Sequence, residues 1–117
     1  MRSDLLGALG EHYAAKYLRY ENYKIKAANF KTYVGEIDLV ALKDGELCII
    51  EVKTRQLDGL TSPADAVNAR KQGNIKSAAS VYINNCAPEH KKVRYDIIEV
   101  FVEGKELKNI NHIKNAF

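Results

Sequence analysis

The sequence predicts an α/β fold: a mixed central sheet with an N-terminal helix, and a helix after the third strand, packed against it. Three observations carry this expectation. Residues 5–20 avoid proline and show helical periodicity, Asp44-Gly45 joins two strand-like runs, and a helical stripe at Ile75, Ala78, Ala79 and Tyr82 separates that hairpin from a near-continuously apolar run at 93–102. With 117 residues, 46% of them hydrophobic and 28% charged, the chain fits one globular unit over residues 1–117 and leaves no room for a second.

The elements follow in order. Ser3 is a good N-cap and Asp4 suits the first turn of a helix that runs to Tyr20. One face of this helix carries Leu6, Leu9, Tyr13 and Tyr17. An adjacent face carries Gly7, Glu11, Ala14, Ala15 and Leu18, and its small residues would let the helix approach a sheet closely and bring the Glu11 carboxylate with it. A plain surface glutamate with good helix propensity fits the same position. The four tyrosines at 13, 17, 20 and 23 read as core and boundary residues. After a turn at 22–24, residues 25–30 form a short edge strand, followed by a hairpin of residues 34–42 and 47–54. Leu47 to Ile50 are apolar on both faces, which marks the second of these as a central strand. Gly35 permits a bulge or a close backbone approach.

Residues 56–62 form a polar loop. Ser62, Pro63 and Asp65 then supply an N-cap, a first-turn proline and a first-turn acid, and Asn68 recaps the chain into the helix bearing the Ile75–Tyr82 stripe. Lys71 and Gln72 lie one turn earlier on that stripe, where they either point at the sheet or snorkel into water. After a loop with Pro88 comes the strand at 93–102, closed by Glu103-Gly104. Asp96 on that strand pairs with Arg94 or with solvent. Ile110, Ile113 and Phe117 stand at helical spacing, so the tail is expected to dock as a short helix.

Net charge is +3 and the isoelectric point near 8.8, with basic residues concentrated at Arg70, Lys71, Lys76, Lys91, Lys92 and Arg94 against Glu89 alone. That segment faces phosphates or is simply a solvated face. Cys48, in a strand, and Cys86, in a loop, have no zinc-type spacing and read as free thiols. His12, His90 and His112 are scattered, and nothing makes them ligands or a catalytic base. No signal-peptide core or membrane-length apolar run is present, so the expectation is a soluble cytoplasmic protein with no membrane partner.

The chemistry concentrates in the hairpin. If Asp44-Gly45 is a two-residue type I′ turn, Lys43 faces Glu46, and counting outward sets Asp38 opposite Glu51 and Glu36 opposite Lys53, all on one face with Val40 and Ile49. Opposed carboxylates repel and call for a compensating cation. Asp38, Glu51 and the backbone carbonyl of Val52 offer the hard oxygen ligands that Mg²⁺ or Mn²⁺ takes, and Glu11 is within reach directly or through water. Lys53 would orient an attacking water or hold a phosphate. The same residues also fit alternating charges on an exposed hairpin face, with Glu36 and Lys53 a weak ion pair.

Gly10-Glu11, Gly35-Glu36-Ile37-Asp38-Leu39-Val40, Glu51-Val52-Lys53-Thr54-Arg55, Lys71-Gln72, Arg94-Tyr95-Asp96 and the closing residues 112–117 resemble, in order, the YraN-like family UPF0102. The resemblance implies a restriction-endonuclease-like fold of the PD-(D/E)XK superfamily, similar to Holliday-junction resolvases. It maps Asp38 to the acidic residue of the second core strand, Glu51 and Lys53 to the E-x-K of the third, Glu11 to the helical glutamate, and Lys71 and Gln72 to the polar pair of the later helix. Ile37 stands where the superfamily's name has proline, and Tyr95 where the family more often has phenylalanine. The activity implied is metal-dependent cleavage of DNA, branched DNA included, with RNA open as a substrate. Arg55, Arg70, Lys71 and Lys76 are candidate phosphate contacts, and a homodimer is compatible with so small a domain. The alternative is a nucleic-acid-binding or protein-interaction module that keeps the fold without cutting.

Overall fold

The computed structural model describes residues 3–59, 67–89 and 92–117, without the side chains of Ser3 and Asp4. The expected cap at Ser3 and the expected turn at Ser62, Pro63 and Asp65 lie outside what is described. The chain runs α1 (Ser3–Tyr20), β1 (Lys24–Thr32), β2 (Gly35–Lys43), β3 (Glu46–Gln56), α2 (Ala69–Cys86), β4 (Val93–Glu103) and β5 (Glu106–Ile113). The five strands form one sheet in the order β1-β2-β3-β4-β5. Neighbours are antiparallel except β3 and β4, which are parallel. Parallel neighbours need a crossover, and α2 is part of it.

Asp44 and Gly45 both have positive φ, as a type I′ turn requires, and Lys43 pairs with Glu46 as counted. β3 is the central strand, with Leu47, Cys48, Ile49 and Ile50 all at 0% exposure. Its alternation feeds two cores. Cys48 and Ile50 pack with Ala14 and Leu18 of α1, while Leu47 and Ile49 pack with Ile75, Ala78, Ala79 and Tyr82 of α2. The helices therefore cover opposite faces of the sheet, and the α2 stripe is the expected one. Asn68 caps α2, its side chain accepting from the Lys71 amide at 2.9 Å.

Two glycines allow the layers to close. A Cβ on Gly10 would collide with the Thr54 side chain, and one on Gly35 would sit 2.8 Å from the Asn74 carbonyl carbon of α2. Gly35 is thus a close approach, as one of its two expected roles had it.

Four expectations are corrected. The edge strand β1 spans nine residues, longer than 25–30, and carries a register shift between Ile25 and Ala27. Cys86 ends α2 and is not in a loop, although it is exposed and unpaired as a free thiol should be. Tyr20 is 85% exposed and belongs to neither core nor boundary, whereas Asp96 pairs with Arg94 as expected and is wholly buried. Finally, the tail is a strand. The 110/113/117 spacing imitates a helix, yet the Glu103-Gly104 turn returns the chain along the open edge of β4, whose unpaired amides and carbonyls take up β5 as an antiparallel partner. Ile110 and His112 then alternate inward, and Phe117 reaches the α2-side core.

Candidate active site

The hairpin ladder holds its register out to Leu39 opposite Ile50 and ends there. Ladder bonds in an antiparallel pair alternate, so in an unbroken hairpin the next narrow pair would give the Val52 amide to the backbone of Ile37. The Asp38 carboxylate takes that amide instead, with Val52 N donating to Oδ2 at 2.8 Å. The faces also shift here. Ile37 joins the α2-side core and Leu39 the α1-side core, although strict alternation would put both on one side. Asp38 and Glu51 are therefore not a cross-strand ladder pair. They are neighbours across a split where the strands part, close enough for their carboxyls to hydrogen-bond.

The split concentrates negative charge. Glu51 is 5% exposed. Burial, then the Glu51 charge, pushes the Asp38 carboxyl up to about 7. Glu11 arrives from α1, brought in by the Gly10 contact with Thr54, and its pKa is raised by burial and by the charges of Glu36 and Glu51. Its Oε1 is buried without a hydrogen-bond partner. An orphaned carboxylate oxygen beside two crowded carboxylates fits a hard cation.

The opposite charge comes from α2 and β3. Lys71 Nζ lies 2.7 Å from Glu51 Oε1 and Lys53 Nζ lies 3.8 Å from the same atom. Burial works against the Lys71 charge, but the hydrogen bond to Glu51 outweighs it and raises its pKa. Among the described residues no three His, Cys, Asp or Glu side chains form a closed metal-binding group. The lysines supply the counter-charge to Glu51.

The remaining candidates scatter. Glu36 is exposed and stands opposite Lys31 in the β1–β2 register, and the β2–β3 ladder stops before it could set Glu36 opposite Lys53 as the register count had it. Gln72 turns back on its own helix entry, donating to Val67 O at 3.0 Å. Arg55 lies 3.4 Å from Glu99. Arg70 is exposed beside Lys71, whereas Lys76 sits over the Tyr95 and Phe117 rings at 5.3 and 5.9 Å.

A second polar cluster escaped the sequence. Arg94 donates to both oxygens of Asp96, His112 Nε2 lies 2.7 Å from Asp96 Oδ2, and the Asn115 amide donates to Oδ1. Tyr17 joins through His112 Nδ1 at 2.8 Å, and Arg94 also reaches Tyr23 and Glu46. Burial works against the Asp96 charge, but these bonds outweigh it and lower its pKa. Arg94 and Asp96, two apart on a strand, were visible as same-face partners. His112 was not, because its place depends on β5 being a strand.

Residues 10–100 match the model of the family described as "Uncharacterised protein family UPF0102". The chain belongs to the UPF0102 family. A UPF0102 protein of Syntrophomonas wolfei is 45% identical, covering 96% of both chains. One from Caldanaerobacter subterraneus is 42% identical over 96% of this chain and 93% of its own. One from Acetivibrio thermocellus is 40% identical over 95% and 89%. The five-stranded mixed sheet with a helix on each face is consistent with a restriction-endonuclease-like arrangement for this UPF0102 chain. Among its described residues no helix is long and apolar enough to cross a membrane.

Proposed function

We propose that this UPF0102 protein is a nuclease that hydrolyses phosphodiester bonds in DNA with the help of Mg²⁺ or Mn²⁺. The observation that carries the proposal is the split at Asp38, where carboxylates from α1, β2 and β3 come together, Glu51 buried and Asp38 and Glu11 half-buried, and where the buried Glu11 Oε1 has no partner. Asp38 and Glu51 would hold the ion, with the Val52 carbonyl and Glu11 as further donors. Bound there, it would supply a more acidic water and screen charge developing on the phosphate. Lys53, on the rim of the split and 13% exposed, is placed to hold the scissile phosphate or orient the water. Lys71 and Arg70 on α2 and Arg55 on β3 would be the phosphate contacts. A homodimer would let so small a chain span branched DNA, and RNA belongs in the substrate panel.

One observation favours a second reading. Lys71 Nζ, 2.7 Å from Glu51 Oε1, gives that carboxylate a counter-charge from the chain itself, as a binding module that does not cut would use. Incubation with linear, nicked and four-way-junction DNA and with RNA, across a Mg²⁺ and Mn²⁺ titration, separates the two. Cleavage that requires the ion and is lost in Asp38→Ala and Lys53→Ala, with folding intact, supports the nuclease. Absence of ion-dependent cleavage, with binding unchanged in Asp38→Ala, overturns it.

A further inference from the structure

Tyr33 is 99% exposed at the tip of the β1–β2 turn. Its mount is rigid. Thr32 Oγ1 accepts from the Val34 and Gly35 amides at 3.2 and 3.1 Å and donates to Gly35 O at 2.8 Å. Gly35 is in turn pressed against the α2 backbone at Asn74. The ring is therefore held out in water on a turn that is tied internally and braced from behind.

The turn lies at the same end of β2 as the split. The first pair below the tip is Thr32 with Gly35 and the next is Lys31 with Glu36. Lys31 and Glu36 are near enough to Glu11 for their charges to act on it. Along β2 the step from Tyr33 to Asp38 is five residues, roughly 16 Å at the rise of a strand. That is the length of about five stacked base steps.

We infer that Tyr33 is a stacking platform for an unpaired nucleobase, with Lys31 beside it on the phosphate backbone, so that this protein selects nucleic acid that is open within a few nucleotides of the cut. Bases inside a duplex are already stacked and offer a ring nothing but edges. A base at a branch, flap or single-stranded end presents a free π-face. With the backbone beneath it already fixed, stacking costs only the rotamer freedom of the ring itself. The setting also favours a base over a protein surface. Lys31, Thr32 and Glu36 flank the tip with polar groups, whereas exposed Leu5 and Leu107 lie along the border of α1 and β5. The selection of a cutting position rests on the nuclease proposal; the binding does not.

The test compares wild type, Tyr33→Ala, Tyr33→Phe and Tyr33→Trp for affinity in EDTA toward single-stranded, four-way-junction and linear duplex DNA. Because Tyr33 is wholly exposed, folding is not at issue. The expected result is a loss of roughly tenfold in Tyr33→Ala for the single strand and the junction, little change for the duplex, and recovery in Tyr33→Phe and Tyr33→Trp. Equal affinities of wild type and Tyr33→Ala for all three DNAs overturn the inference and leave the ring to a protein partner or to solvent. So does failure of Tyr33→Phe to recover. A Tyr33-dependent preference in EDTA with no cleavage under Mn²⁺ sinks the nuclease proposal alone.

Discussion

At Asp38 one side chain has two tasks that conflict. It replaces a missing ladder bond at Val52, and it adds negative charge beside Glu51. Its pKa is raised from 3.8 to about 7, so the folded state binds its proton more tightly than the unfolded chain does. The stability contributed by this proton is complete below the unfolded value and is lost as pH rises through about 7. Without divalent ions, the unfolding free energy of Asp38→Asn is expected to exceed that of wild type above pH 7 by on the order of 2 kcal/mol, because the amide keeps an acceptor for Val52 and drops the charge. Mn²⁺ is expected to raise the wild-type melting temperature and leave Asp38→Asn nearly unmoved. A mutant no more stable than wild type at pH 8 would contradict this account.

Lys71 shows the same balance from the other side. Glu51 is almost fully buried and Lys71 is 43% exposed, so solvent discounts what the pair contributes. Lys71→Met is expected to cost about 1–2 kcal/mol in urea denaturation, since Lys53 still faces Glu51 at 3.8 Å. Added Mn²⁺ should recover part of that loss. Recovery by NaCl at equal ionic strength would point to general screening instead.

Among the elements, α1 depends most on a single missing atom. Gly10 lets the helix lie on β3 at Thr54 and so delivers Glu11. Gly10→Ala is expected to destabilise by about 2 kcal/mol, because the new methyl must displace Thr54 or lift the helix. Thr54→Ala removes the Oγ1 and Cγ2 atoms in the way, so the double variant should regain part of the stability, as a double-mutant cycle would read. Strict additivity would mean that α1 tolerates the displacement by other means. The helix periodicity, the hairpin turn and the Asn68 cap were all legible, because each follows from neighbours within a few residues. β5 was not, since eight residues with weak alternation form a strand only where β4 offers an open edge.

Across the whole molecule, the Arg94–Asp96–His112 cluster joins β4 and β5 to Tyr17 of α1 and, through Arg94, to Glu46 of β3. Its Asp96 pKa is lowered, so its contribution is present above the ordinary carboxylate range and is lost as pH falls through the depressed folded value. Asp96→Asn is expected to cost about 3 kcal/mol at pH 7, because it leaves the buried end of Arg94 short of its counter-charge. That cost should shrink as acid protonates the wild type. A constant difference between pH 7 and pH 3 in chemical denaturation would show that packing, not charge, is what the substitution removes.

By itself the sequence determined the α/β class, the type I′ turn and the buried stripe of α2, because each depends on local spacing or on residue type. Only the tertiary structure decided that the hairpin splits at Asp38, that Glu36 stands opposite Lys31 of β1, that Lys71 closes on Glu51 and that His112 is held by Asp96. Register counting assumes an unbroken ladder. The β2–β3 ladder breaks where α1, α2 and two strands meet, and contacts among residues 14 to 44 positions apart set the geometry there.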